Sequence, residues 1–344
     1  MALISILRVY YNIFLNDNSR FIKNGGKKND FIYEARKQEL KNKLITFSLS
    51  ILMVAIPAYT ALHLLKSSRA ISFKGDEANY LSHLKPPKST QKIEAALRYD
   101  LEKVVKGGNR VPRVFMVRLP ENLPLLRQVK IKKKLFTETL LPLILRANEL
   151  IRQDRAELML MAKKLVANTA ISKREHNGLN EMRNRYRMGE QSDSLTLINK
   201  LLKRVDIIPP SLALSQAAIE SGWGTSYFAQ KGNALFGQWV YGDNAKGMLP
   251  RRRNKGANHK IKSFDYLLDS VSSYMVNLNS HKAYQELRNR RLELRTHSLP
   301  ITGSALAPAL ISYSERGQPY VNDLLSVMNY NKFIQLDNAQ LEAL

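Results

Sequence analysis

Glu220 is the one acid in a run of small and apolar residues, IIPPSLALSQAAIESGWG from Ile207 to Gly224. Pro210 suits the first turn of a helix, where its missing N–H costs nothing, and Gly222 and Gly224 suit the end. Helical spacing puts Ala213, Ala217 and Glu220 on one face. Small residues there let another element pack close, and a carboxyl beside that surface is partly desolvated. Desolvation raises its pKa and keeps the proton on near neutrality, which is what a general acid needs. Taken alone, a single glutamate near a helix end also fits an exposed or capping residue.

The words around Glu220 narrow that choice. PPSLALSQAAIESGWGTSYFAQKGNALFGQW contains ESGWG from Glu220 to Gly224, then Ser226, Phe228 and GNALFG from Gly232 to Gly237. Further on, YSERGQPY runs from Tyr313 to Tyr320. This pattern resembles the glucosaminidases of glycoside hydrolase family 73. Upstream pieces, VPRVF from Val111, LPLIL from Leu141, and Ala147-Asn148-Glu149, resemble their Bax-type branch. The resemblance implies a mainly α, lysozyme-like catalytic domain with a small β-lobe, preceded by a helical region. It implies a peptidoglycan substrate, cut at the GlcNAc-β-1,4-MurNAc linkage, with Glu220 protonating the glycosidic oxygen. It makes Tyr313 the second catalytic candidate, directed at the N-acetyl group or the nascent cation. The family's tyrosine segment reads Y-x-T-D-x-x-Y, whereas Ser314-Glu315 stands in the middle here and Tyr320 follows seven residues after Tyr313.

Sugar faces stack on aromatic rings, and buried rings also fill cores. Trp239 and Tyr241 are the cleft candidates. Asn233, Phe236 and Tyr320 are further substrate-binding candidates, with core packing as the alternative for Phe236, Phe228 and Tyr320. Trp223 is expected behind the glutamate helix.

Two-carboxylate glycosidases hold their acids about 5 Å apart for retention and about 6.5–9.5 Å apart for inversion. From Ser221 to Gln285 there is no glutamate, and the aspartates are Asp243, Asp265 and Asp269. Asp243, in a turn-like VYGDN where a β-hairpin is expected, is the possible second acid. Asp265 and Asp269 read as capping or solvent-facing. Asp243 as base, attack by the substrate's own 2-acetamido oxygen, and Glu220 performing both proton transfers all remain open; the missing glutamate favours the acetamido route. A lytic transglycosylase also uses one helical glutamate, though the GNALFGQ string speaks against it. A catalytically inert wall-binding protein is the non-enzymatic alternative.

The chain as a whole limits other chemistry. It has no cysteine, hence no thiolate metal site or Cys nucleophile. Its six histidines include no His-x3-His pair, and there is no Walker loop and no GxGxxG. No metal and no cofactor is expected. With 54 Lys+Arg against 29 Asp+Glu the net charge is +25. Such charge attracts nucleic acid, anionic membranes and anionic wall polymers alike. No nucleic-acid motif accompanies it, so the expected partner is the glycan strand, with Arg251, Arg252, Arg253 and Lys255 as possible steering charges.

The elements that position these residues begin with Leu44–Leu65, 22 residues without Asp, Glu, Lys or Arg. That length can span a bilayer, and the basic residues before it favour a cytoplasmic amino end with an exported, periplasmic-side remainder. It reads as a signal anchor in the inner membrane or a signal peptide. The expected organisation is a basic segment 1–43, the membrane segment 44–65, a linker 66–92, a helical region 93–204 packing on the catalytic part, and a glucosaminidase domain 205–335. Within it, helices are expected over 93–105, 129–167 (kinked or split at Pro142), 195–205 and 210–221. Residues 111–119 should be extended or strand-like, and 172–194 polar, ending in a loop. Asn148 falls on an apolar side and should be a hydrogen-bonded core amide.

Overall fold

The computed structural model describes Leu97 and residues 99–107, 110–191, 193–242, 244–250 and 259–343. The apolar run 44–65, the segments 1–43 and 66–92, Asp243, Arg251–Arg253 and Lys255 lie outside the described residues. Among the described residues, no helix is long and apolar enough to cross a membrane.

The order is α1 (Leu101–Val105), α2 (Val129–Val166), α3 (Lys173–Arg185), α4 (Ser194–Arg204), α5 (Pro210–Ser221), α6 (Tyr227–Gly232), β1 (Trp239–Tyr241), β2 (Gly247–Met248), β3 (His259–Lys262), α7 (Leu267–Ser280), α8 (Gln285–Thr296), α9 (Gly303–Leu306) and α10 (Gln318–Tyr330). Three-residue-per-turn segments cover Lys282–Tyr284, Ala307–Tyr313 and Phe333–Leu336. The molecule is mainly helical with one small sheet, the coarse architecture expected.

The central element is α2. Every residue from Leu135 to Leu145 is buried, and α4, α5 and α7 pack around it. A helix buried on all sides needs no amphipathic stripe. It runs unbroken through Pro142, where a kink or split was expected. Proline at that position strips the Glu138 carbonyl of its helical donor. The Tyr99 hydroxyl replaces it, donating to that carbonyl at 2.8 Å. Tyr99 can reach because the expected helix 93–105 is interrupted: Asp100 is extended and caps a fresh turn, accepting from the Glu102 N–H at 2.9 Å.

Residues 111–119 are extended, and Val111 bridges in parallel to Leu341 near the carboxyl end. The polar stretch 172–194 ends in a loop, as expected, and before that loop contains α3. Its start is a capping box: Glu175 N–H donates to the Ser172 hydroxyl and the Ser172 N–H to the Glu175 carboxylate. The sheet also differs from expectation. Its order is β1-β3-β2, all antiparallel, with Trp239 opposite Ile261 and Met248 opposite the same residue on the other edge. No hairpin joins β1 to β2. The longer β3 offers two edges, and each short strand takes one.

Candidate active site

The helix that carries Glu220 is fastened along its whole length. Pro209 and Pro210 bring no side-chain cap to its start. Asp337 does so from 126 residues away: its carboxylate accepts from the Ser211 N–H and hydroxyl, both at 2.8 Å, and from the Gly303 N–H at 3.0 Å. A Cβ on Gly303 would overlap the Ser211 hydroxyl, so only glycine allows this approach. Just before the helix, Asn148 grips Ile208 by both backbone groups, donating to its carbonyl at 2.8 Å and accepting from its N–H at 3.0 Å. This is the core amide expected. Asp206 is buried, and burial alone would raise its pKa. Bidentate pairing with Arg295 and the nearby charges of Arg291 and Arg155 hold it below the usual range instead. At the far end Gly222 caps the helix in the left-handed conformation. Trp223 then packs edge-on to Phe136 at 5.6 Å, behind the helix as expected, with the Lys133 ammonium 4.5 Å above its ring.

Glu220 itself is half-buried on the last turn. Burial raises its pKa, opposed by a hydrogen bond with Tyr320. Behind that contact is a directional chain. The buried Tyr274 hydroxyl donates to Gln216 Oε1 at 2.6 Å, and Gln216 Nε2 lies 3.0 Å from the Tyr320 hydroxyl oxygen. The amide can only donate there, so the phenolic proton of Tyr320 is left for the Glu220 carboxyl. No carboxylate among the described residues contributes to the Glu220 shift. Gly237 (φ +59°) lies opposite, where a Cβ would stand 3.7 Å from Glu220 Oε2.

The two tyrosines thus stand in a different order from that expected. Tyr320, carried as a binding residue or a core residue, touches the acid. Tyr313 donates to the Phe236 carbonyl at 3.3 Å and stacks on Tyr320 with ring centres 5.5 Å apart. Burial and the neighbouring tyrosines and glutamate push its phenol up. Tyr284 continues the row, 5.8 Å from Tyr313.

Three substrate-binding candidates are interior residues, Tyr320 among them at 2% exposed. Asn233 is 2% exposed, and its amide donates to the carbonyls of Val117, Phe264 and Asp265 at 3.0–3.3 Å. It ties the segment before α7 to the bend at Val117 and holds the fold rather than facing a substrate. Phe236 is 3% exposed and stacks flat on Tyr274 at 3.9 Å. Phe228, expected in the core, is half-exposed against Tyr227. Trp239 and Tyr241 are open, 56% and 65% exposed, and Trp239 stacks on His259 at 4.1 Å. Asp265 and Asp269 face solvent as expected, Asp265 pairing with Lys246. Gln216, Tyr274 and Tyr284 escaped sequence reasoning. Gln216 carried a signal: it lies one turn before Glu220, polar and 0% exposed on an apolar helix.

A half-buried carboxyl with a fixed hydroxyl donor, open aromatic rings nearby and a mainly helical scaffold is the equipment of a glycoside hydrolase. Comparison with known proteins agrees. The glucosaminidase family, described as mannosyl-glycoprotein endo-beta-N-acetylglucosaminidase, matches residues 195–333. Protein bax of Escherichia coli (strain K12) is 35% identical over 205 residues, covering 58% of this chain and 70% of that relative. No solved structure matches. The chain belongs to the glycoside hydrolase family 73 glucosaminidases, in their Bax-type branch.

Proposed function

We propose that the protein is an endo-β-N-acetylglucosaminidase that cuts the GlcNAc-β-1,4-MurNAc linkage of peptidoglycan strands. The observation that carries the reading is Glu220: a carboxyl whose pKa burial raises, with the Tyr320 hydroxyl aimed at it. Glu220 gives its proton to the glycosidic oxygen as the C1–O bond breaks. The acetamido oxygen of the same GlcNAc closes on C1, forming a cyclic intermediate. Water then opens it at C1 and returns a proton to the Glu220 carboxylate. Tyr320 stabilises that carboxylate while it is charged. The acetamido route is supported by the absence of any glutamate from Ser221 to Gln285. Trp239 and Tyr241 supply ring faces for the sugars. The body works outside the cytoplasmic membrane, held by residues 44–65.

Mass spectrometry of digested peptidoglycan tests this. A new reducing GlcNAc end is expected. An anhydro-MurNAc end would replace it with a lytic transglycosylase, and intact strands would leave a wall-binding protein. A reporter fused after Leu344 should be active only outside the cytoplasm.

A further inference from the structure

The row of rings that starts at Tyr320 does not end at Tyr284. His281 follows, 5.8 Å from it, and cations gather around that end. Arg204 donates to the carbonyls of Tyr186, Arg187 and Ser280 at 2.6, 3.3 and 3.1 Å, which ties the turn bearing Arg187 to the end of α7 beside His281. Arg288 donates to the His281 carbonyl at 2.9 Å and fixes it in turn. His281 Nδ1 accepts from the Ala283 N–H at 3.3 Å, so Nε2 carries the ring's proton. From the sheet side, Lys262 is half-buried rather than extended into water: its Nζ donates to the Ser273 hydroxyl at 2.9 Å and lies 5.0 Å above the Phe264 ring.

Among the described residues, Arg187, Lys262, His281 and Lys282 have no carboxylate within 4.0 Å. Asp269 acts on Lys262 only from farther away. Burial first, and the Arg187 charge next, hold both Lys262 and His281 below their usual ranges. Arg187, Lys262 and Lys282 bring positive charge without a counter-charge beside it, His281 offers its Nε2–H as a donor, and an arriving anion gains from both.

We propose that Arg187, Lys262, His281 and Lys282 form an anion subsite at the far end of the tyrosine row, which takes a carboxylate carried by the glycan strand. It rests on the glycosidase reading above. That carboxylate has two sources, the lactyl ether of a muramoyl residue or the peptide attached to it.

The test is binding by the whole chain carrying Glu220→Gln, so that strands stay uncut. Three probes are compared: a neutral N-acetylglucosamine tetramer, peptide-free strands with open lactyl carboxylates, and peptide-bearing strands. Expected is tighter binding of acidic strands, eroded by salt. Adding Arg187→Gln with Lys282→Gln, both exposed positions, should cut the preference for acidic over neutral strands by about tenfold. Lys262→Gln should act in the same direction and Lys262→Arg should restore it. Preference for peptide-free strands assigns the lactyl carboxylate, and preference confined to peptide-bearing strands assigns the peptide. Equal affinity for neutral and acidic strands, or a preference that survives the substitutions, would overturn the subsite. Failure to bind any strand would reject the glycosidase reading and the subsite with it.

Discussion

The glutamate helix and the three-stranded sheet, whose first strand begins two residues after Gly237, are held in opposite ways. The helix start is clamped from three distant segments, by Asn148, by Arg295 through Asp206, and by Asp337. Its middle has the Tyr274–Gln216–Tyr320 chain. The sheet has strands of three, two and four residues, none of them fully buried, and its aromatic side chains stand open. The difference separates two tasks. A proton donor must hold one position and one protonation state, and buried hydrogen bonds supply both. A surface that accepts a long polymer must stay accessible, and exposed rings serve it without being fixed.

The largest test of this division is Glu220→Gln. The amide cannot give a proton, and hydrolysis should fall by about 100- to 10,000-fold. Binding of strands should persist, and so should the fold. A pH scan adds a sign. Glu220 is raised by burial in the folded state, so wild type loses stability as pH rises from the unfolded to the folded pKa. The variant should therefore melt at or above wild type at neutral pH, and the gap should close in acid. Near-wild-type rates would remove the chemistry from the helix.

Tyr320→Phe comes next. Removing an oriented donor to developing charge costs about 100-fold or more. Its hydroxyl lowers the Glu220 pKa, so the alkaline limb of the pH–rate profile should move to higher pH in the variant. Tyr313→Phe should lose less and leave that limb in place, because the Tyr313 hydroxyl is committed to the Phe236 carbonyl. The reverse order would restore the ranking that the sequence pattern suggested.

That ranking shows how far the sequence could be read. Glu220, its helix and its glycine cap were legible because they are local: one acid, an apolar run, a proline start. Asn148 was legible from its place on an apolar face. The hydrogen bond between Tyr320 and Glu220 was not legible because its partners lie 100 residues apart, and no spacing rule connects α10 to α5. Asn233 and Phe236 belong to a motif string yet are interior. The string marks residues that shape the site's wall as well as those that would meet substrate. That α2 is not split at Pro142 was hidden for the same reason, since the hydroxyl that serves the Glu138 carbonyl comes from Tyr99. The capping box at Ser172 was local and could have been used.

Two smaller effects should fall on opposite sides of the division. Asp337→Ala removes three hydrogen bonds from the helix start and should cost about 1–3 kcal/mol of stability, read as a lower Tm, with kcat per folded molecule nearly kept. Trp239→Ala should leave Tm unchanged, since that ring is 56% exposed. It should raise KM by the equivalent of about 0.5–1.5 kcal/mol, the value of one aromatic stacking contact. A Tm loss from Trp239→Ala as large as that from Asp337→Ala would mean that the sheet is as firmly built as the helix.

The smallest effect should come from Asp243→Asn. If the sheet segment only receives substrate, its aspartate is not needed to activate water. With the acetamido oxygen as nucleophile, the protein must supply one proton donor and a way to stabilise the carboxylate left behind. Glu220 and Tyr320 cover both. Asp243→Asn should therefore lose less than about tenfold in rate, under 1.4 kcal/mol of barrier, measured on purified glycan strands. Product stereochemistry gives an independent reading: acetamido assistance retains the configuration at C1, and a water activated by Asp243 inverts it. An inverted product, together with an Asp243→Asn variant as inactive as Glu220→Gln, would move half of the chemistry onto the sheet segment and end the separation between the two regions.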